Sequence, residues 1–423
     1  MMLIGSEAWA VCYVDQNAKG KNDGSSWVNA YVHPQFALLL GCTEIWVAKG
    51  VYTPSGESND PTMSFNIPAG TKMYGGFISG AATLDDRHPF TDFTVLSGDV
   101  ENNDDNSVDW FHRTTENIRG ANSAHILTMY GTTVAPVTPE TVIDGFVLTA
   151  ADTSASDAKG SALDCSTLDG SANCAPTLKN LVVSGNKGRL VGAVGKFGSG
   201  NMDISNSLFF GNTALYGGAL YDSGTGTLHI SDSAFANNKG AEGGAVITYE
   251  RSAIENVTFT ADGADFGGAI YLAGSSNHTL VNVTFAGNTA SSYGGAVAVE
   301  RDVPAVFTNA IFWANTAGSD QDVTADIDGT TQIDHSVVEG GCPGYGRCAI
   351  VSLEDPKLSS AAFHGGPTIT LLPGIGGSAI DKGDEMACPA FDQRGFSRSD
   401  GHCDIGAVEW QPSDDIIFRN GFQ

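Results

Sequence analysis

Polar and apolar positions alternate in short runs through the middle of the chain, and the runs recur. Phe209-x-x-Asn212, Phe235-x-x-Asn238, Phe285-x-x-Asn288 and Phe312-x-x-Asn315 share one pattern, with Val183-x-x-Asn186 and Phe259-x-x-Asp262 as variants. The anchors fall at 183, 209, 235, 259, 285 and 312, so the step stays between 24 and 27 residues. Five residues before each anchor stand Leu178, Ile204, Ile230, Ile254, Leu280 and Phe307, all apolar. Three before it stand Asn180, Asn206, Asp232, Asn256, Asn282 and Asn309. A second motif keeps the same phase: Gly217-Gly218-Ala219, Gly243-Gly244-Ala245, Gly267-Gly268-Ala269 and Gly294-Gly295-Ala296, with Val191-Gly192-Ala193 as a degenerate first copy. Val194, Leu220, Val246, Ile270 and Val297 follow it. Alternation over short runs is the period of strands, not of helices.

A unit of this size holding several short strands cannot bury its own apolar face and must stack on its neighbours. Parallel stacking puts like residue on like about 4.8 Å apart. Aliphatic and Phe side chains then form columns inside, and Asn sits at bends, where it tolerates left-handed backbone and hydrogen-bonds along the stack. Paired glycines permit the sharp corners. The pattern predicts an all-β fold, a right-handed parallel β-helix, with these Phe, Asn and Gly residues structural.

Residues 28–41 (VNAYVHPQFALLLG) predict a short amphipathic helix capping the first coil, with Pro34 near its start and Gly41 at its end. Glu44 to Tyr52 reads as the first strand. The expected organisation is a signal-like segment at 1–10, an N-terminal cap and first strand at 11–59, the β-helix at 60–340 with regular coils at 178–316, a C-terminal module at 341–410 and a tail at 411–423. Beyond 316 the period is lost.

Composition narrows the function classes. Acidic residues outnumber basic ones 48 to 21, a net charge of −27, which argues against nucleic acid or an anionic membrane surface as a partner. Gly is abundant, at 53 residues, and charged residues are sparse, at 16%, which fits many tight turns between short strands. No apolar run is long enough to span a bilayer. Ala8-Trp9-Ala10 resembles a signal-peptidase site after an apolar stretch too short for a complete signal peptide. The eight cysteines contain no CxxC pair, so disulfides and an oxidising compartment are expected. Cys165/Cys174, Cys342/Cys348 and Cys388/Cys403 read as loop staples, leaving Cys12 with Cys42 by elimination.

The Gly-Gly-Ala and Phe-x-x-Asn motifs resemble the repeats of chlamydial polymorphic outer membrane proteins and of secreted β-helix proteins of the pectin-lyase-like superfamily. The opening YVDQNAKGKNDGSSWVNAY, EIWVAKGVYTP and MYGGF are similar to the N-terminal part of many such proteins. The run with DPKL, GGPT, LLPG, SAID, DQRG and CDIGAVEW resembles the choice-of-anchor type Q domain. The resemblance covers most of the chain. It implies the fold and a secreted or bacterial outer-surface location, but little about activity, because these families mix adhesins, surface proteins and polysaccharide-active enzymes.

Polygalacturonase-type hydrolases on this fold carry NTD, paired Asp, GHG and RIK motifs in order. Here the Asp pairs are Asp85-Asp86, Asp104-Asp105 and Asp414-Asp415, and GHG and RIK do not occur. Ile333-Asp334-His335 echoes a short pectate-lyase motif in surroundings that match the junction to the C-terminal module. Asp99, Glu101, Asp104 and Asp105 are candidate ligands for Ca²⁺, a hard cation that takes oxygen donors, though without EF-hand spacing; a solvated acidic loop is the simpler reading. The outward face after the Gly-Gly-Ala corner supplies the candidate ligand-binding residues Tyr221, Tyr271 and Glu250, the tyrosines two coils and about 10 Å apart. Asp222, Lys196 and Arg251 are candidates for the base and cation of a β-elimination. The expected function is a secreted or surface adhesin or glycan-binding scaffold without catalysis, meeting an extracellular glycan or host-surface polymer and needing no cofactor unless Ca²⁺. The alternatives are an extracellular polysaccharide lyase or hydrolase acting on acidic glycans, and a structural surface-layer component.

Overall fold

The computed structural model describes residues 11–155, 159–170, 172–318, 324–325, 331–343, 346–398 and 401–414. The signal-like segment at 1–10 and residues 415–423 of the tail lie outside them. Among the described residues every ladder between strands is parallel except a short one between Ala362–Phe363 and Ile369–Thr370. One coil shows the plan: Met202–Ser205, a bend at Asn206, Leu208–Phe210, a corner through the Gly-Gly pair, then Leu220–Asp222. Repetition of the first two segments builds a 20-stranded sheet folded along its bend, and repetition of the third builds a 9-stranded sheet opposite. Parallel crossovers take the right hand, and the architecture is the right-handed parallel β-helix that the repeat predicts.

The stacking is residue on residue. Phe209, Phe235, Phe259, Phe285 and Phe312 pair in register and are fully buried. Their rings stack at 4.6, 4.9, 5.1 and 5.0 Å with interplanar angles of 12° or less. Asn180, Asn206, Asp232, Asn256, Asn282 and Asn309 all hold positive φ near 50°, so the polar residue at this place is the one that bends the sheet. The Gly-Gly pair has two separate reasons. Gly217 lies at φ 55, and a Cβ on Gly218 would come within 2.3 Å of the Gly244 carbonyl oxygen of the next coil.

The regular stack extends beyond 178–316. Below it, Ile143 and Leu148 pair with Leu178 and Val183, and Leu96 with Leu148. Above it, Ile333 and Val338 pair with Phe307 and Phe312, so a further coil follows in the same register. Its anchor is Val instead of Phe and its bend residue is His335 instead of Asn, at φ 43, which hides it from the repeat pattern. The Asp334-His335 echo is thus a bend of the stack.

The cap helix is shorter than the pattern suggests. It spans Pro34–Leu39, with His33 Nδ1 accepting from the Gln35 amide, and buries Pro34, Ala37 and Leu38. Val14 pairs with Tyr31 as an isolated bridge, which takes residues before 34 out of helix. All eight cysteines are paired as the spacing suggests: Cys12–Cys42, Cys165–Cys174, Cys342–Cys348 and Cys388–Cys403.

The C-terminal segment lies against the helix wall. Asn282 Nδ2 donates to the carbonyls of Asp404 and Gly406, Asn256 Nδ2 to that of Phe391, and Thr258 Oγ1 to Gln393 Oε1 at 2.6 Å. Ile311 and Val337 form an apolar cluster with Ala379 and Ile405. The bend asparagines therefore also dock this segment.

Candidate functional site

Two straps decide which face is free. The outer sides of Val95, Val147 and Val182 are covered by Phe90, Phe93, Trp110 and Phe111. Leu208 and Ala234 are covered by Phe111, Phe363 and Ile369. One wall of the helix is thereby closed along much of its length. The 9-stranded sheet presents the richest side-chain chemistry on its outer side.

On that sheet, alternation sends Val194, Leu220, Val246, Ile270 and Val297 inward, all fully buried. The intervening positions face outward and stack in register as Gly195, Tyr221, Ile247, Tyr271 and Ala298. Two further columns flank them. Immediately before the corner glycines, Tyr216, Glu242, Phe266 and Tyr293 succeed one another as bridge partners. Just past the strands lie Phe197, Tyr249 and Glu300. Rings meet across the columns, Phe197 and Tyr221 at 5.4 Å and Tyr221 and Tyr249 at 5.9 Å, and within one, Phe266 and Tyr293 at 4.6 Å. Lys159 Nζ stands 4.3 Å from the centre of the Phe197 ring. Ile247 is fully buried although it faces outward, while the rings around it stay half-buried. The result is an aromatic strip running along the helix axis.

Its electrostatics are acidic and non-nucleophilic. Burial, reinforced by Tyr221, Glu242 and Glu300, pushes the Tyr249 hydroxyl up to about 12. Burial and then Tyr293, Glu300 and Glu242 raise that of Tyr271 further. Glu242 is raised by burial and then by Glu300. The hydroxyls therefore stay protonated at neutral pH, able to donate and accept hydrogen bonds beside flat apolar faces. Sequence reasoning found Tyr221 and Tyr271, with Tyr249 nearby, and missed Phe197, Tyr216, Glu242, Phe266 and Tyr293 as partners. The signal was present, because the residue before each Gly-Gly pair is itself a column.

The candidates for β-elimination are not brought together on a surface. Lys196 and Asp222 stand two residues past inward-facing Val194 and Leu220, so they point inward too. Their side chains are 0% exposed and form an ion pair at 3.0 Å. Asp222 also accepts from the Gly224 amide and Thr248, and Lys196 donates to the Thr225 carbonyl. Burial raises the Asp222 carboxyl against the pull of Lys196. Arg251 is exposed at the start of Arg251–Thr260, on the other sheet. Glu250 is half-buried and accepts from Ser276 of the next coil.

The Ca²⁺ candidates are held by donors of the protein itself. Asp99 accepts from the amides of Asn103 and Asp104, and Asp104 from the Arg119 amide and Asn122. Glu101 serves Asn103 and Ala121, and Asp105 serves Ser107. Each carboxylate is engaged by its own donors, and among the described residues no group of three His, Cys, Asp or Glu converges as a metal would require. Nor is any helix among them long and apolar enough to cross a membrane.

Residues 282–300 match the Chlamydia polymorphic membrane protein repeat. They hold Phe285-x-x-Asn288, the Gly294-Gly295-Ala296 corner and the strip residues Tyr293 and Glu300. No curated protein matches the chain. Among solved structures, the crystal structure of pectate lyase Pel9A aligns over 95% of this chain and 96% of its own, at 14% identity and a TM-score of 0.45. The chain is thus a disulfide-bonded parallel β-helix protein with a repeat similar to that of the Chlamydia polymorphic membrane proteins.

Proposed function

We propose that the protein is a non-catalytic scaffold of a bacterial surface or its surroundings that holds an extended glycan along its aromatic strip. The observation that carries this reading is the strip itself: outward-facing rings from successive coils stacked in columns along the helix axis, with Phe197, Tyr221 and Tyr249 in contact in one group and Phe266 and Tyr293 in another. A polymer of sugar rings can lay its apolar faces on such a row and hydrogen-bond the tyrosine hydroxyls at its edges. The surface is open rather than enclosed, so weak binding is expected. Glu242 and Glu300 beside the rings, on a chain of net charge −27, favour a neutral glycan over an acidic one. The surface repeat and the four disulfides support an extracytoplasmic setting. The lyase alternative loses its base and one of its cations, because Asp222 and Lys196 are enclosed.

Affinity electrophoresis in gels containing xyloglucan, galactomannan or mixed-linkage β-glucan tests the reading. Retardation that disappears in a Tyr249→Ala/Tyr271→Ala variant of unchanged thermal midpoint is the expected result. Incubation with pectate, alginate and glycosaminoglycans, with and without Ca²⁺, is expected to give no unsaturated product absorbing at about 235 nm. Such a product, lost in an Arg251→Ala variant, would replace the scaffold by a lyase.

A further inference from the structure

The loop that carries Asp99, Glu101, Asp104 and Asp105 folds over the edge of the first coils. With the turn at 51–59 it encloses a cavity of about 530 Å³. Val51 and Trp110 supply apolar wall, and Asn59, Asp99, Glu101 and Arg113 supply polar wall. Arg113 is the unusual member. It is only 2% exposed. Its Nη2 donates to the Asp105 carbonyl at 3.3 Å and stands 3.7 Å from Asp104. Its guanidinium lies 5.2 Å from the centre of the Trp110 ring. Nε and Nη1 make no hydrogen bond with any described residue. Neither atom is sealed from solvent, and both belong to a side chain that lines the cavity.

We propose that this cavity is a binding site for one or two residues of a neutral, hydroxyl-rich sugar, separate from the aromatic strip. Sugar hydroxyls accept from the free edge of Arg113 and donate to Glu101, while the apolar part of the ring rests on Val51 and the open part of Trp110. An anionic ligand is disfavoured because Asp99, Asp104 and Asp105 already surround the guanidinium with negative charge. A bare cation is disfavoured because Asp99 and Asp104 are occupied by backbone amides and Asn122. The volume falls within the range of ordinary small-ligand sites. The site does not depend on the strip, since it uses a different wall and different residues.

Saturation-transfer NMR on the whole chain tests it, with methyl glycosides of glucose, galactose, mannose and N-acetylglucosamine at millimolar concentration and galacturonate as the acidic control. The expected result is saturation transfer to at least one neutral glycoside and none to galacturonate. The signal should fall at least fivefold in Trp110→Leu and in Val51→Trp, which fills the rim from an exposed position. Both variants should keep the parent's thermal midpoint within a few degrees; if Trp110→Leu does not fold, Val51→Trp carries the test alone. The signal should persist in Tyr249→Ala/Tyr271→Ala. Transfer to no neutral glycoside, stronger transfer to galacturonate, indifference to Val51→Trp, or loss with the strip variant would each overturn the proposal.

Discussion

Asp262 occupies a place that neighbouring coils give to asparagine, and the difference has a measurable consequence. Asn186, Asn212, Asn238 and Asn288 each donate both ways along the stack through Nδ2, and Asn186 donates also to the Ser184 carbonyl. One bond goes to the Oδ1 of the next coil at 2.9 to 3.0 Å. The other goes to a carbonyl of the coil before, from Leu148, Val183, Phe209 and Phe259 respectively. Asp262 accepts through Oδ1 from the amide and side chain of Asn238, but its Oδ2 has no partner and the residue is fully buried. By the ladder's geometry the atom in that place faces the Phe235 carbonyl and Asn288 Oδ1, both acceptors. Burial accordingly pushes the Asp262 carboxyl well above the usual carboxylate range, with no charged side chain contributing. Asp262→Asn supplies the missing donors, and the removal of one buried unsatisfied group is worth roughly 1–3 kcal/mol. The gain depends on pH. The folded carboxyl holds its proton to higher pH than the unfolded one, so its stabilisation is complete below the unfolded value near 3.8 and is lost as pH rises through the folded value. In that window the parent loses about 1.4 kcal/mol per pH unit relative to the variant. Urea denaturation of both proteins from pH 4 to pH 8 is the assay, because 1 kcal/mol moves the thermal midpoint of a chain this long by only about one degree. A stability difference that does not grow with pH, or a variant less stable than its parent at pH 7, would refute the reasoning.

Phe259→Ala removes a ring stacked between Phe235 and Phe285 and should cost about 3–5 kcal/mol, read as a lower urea midpoint; a loss below about 1 kcal/mol would show that the column can collapse into the gap. Lys196→Ala leaves Asp222 buried without its counter-ion and should cost about 3–5 kcal/mol, whereas Lys196→Met with Asp222→Leu should recover most of the loss in a double-mutant cycle. Arg398 donates to Glu409, Asn256 and Gly406 where the C-terminal segment meets the coils, so Arg398→Ala should raise hydrogen exchange along 380–410 while the Phe column stays protected. Non-reducing peptide mapping should recover the four predicted disulfide-linked pairs, and opening Cys388–Cys403 by paired Ala substitution should lower stability by about 2–4 kcal/mol.

The fold was legible in the primary structure because a solenoid repeats its physics. The same apolar residue returns at the same place in each coil, so the step between Val183 and Phe312 already defines strands, bends and corners. Legibility failed where the ladder tolerates other residues. Val338 and His335 continue the stack without the Phe and Asn that advertise it. Leu148 and Val183 are partners across a longer loop, whose insertion destroys the period without disturbing the register. Inward or outward orientation was readable in principle, since Lys196 and Asp222 share the parity of Val194 and Leu220. Their chemistry suggested a surface, while their position placed them in the core.

Only the tertiary structure decided which face a ligand can reach. No local pattern says that the 90–113 loop and the segment from 353 will lie along one wall, because each is held by contacts with residues far away in sequence, as Thr258 is by Gln393. Likewise no spacing rule brings Phe197, Tyr221 and Tyr249 into one patch, or leaves Arg113 with unused donors beside a cavity. Repetition along the chain encodes the stack through neighbour-on-neighbour burial. What covers the stack, and what remains open on it, depends on long-range packing that repeats nowhere.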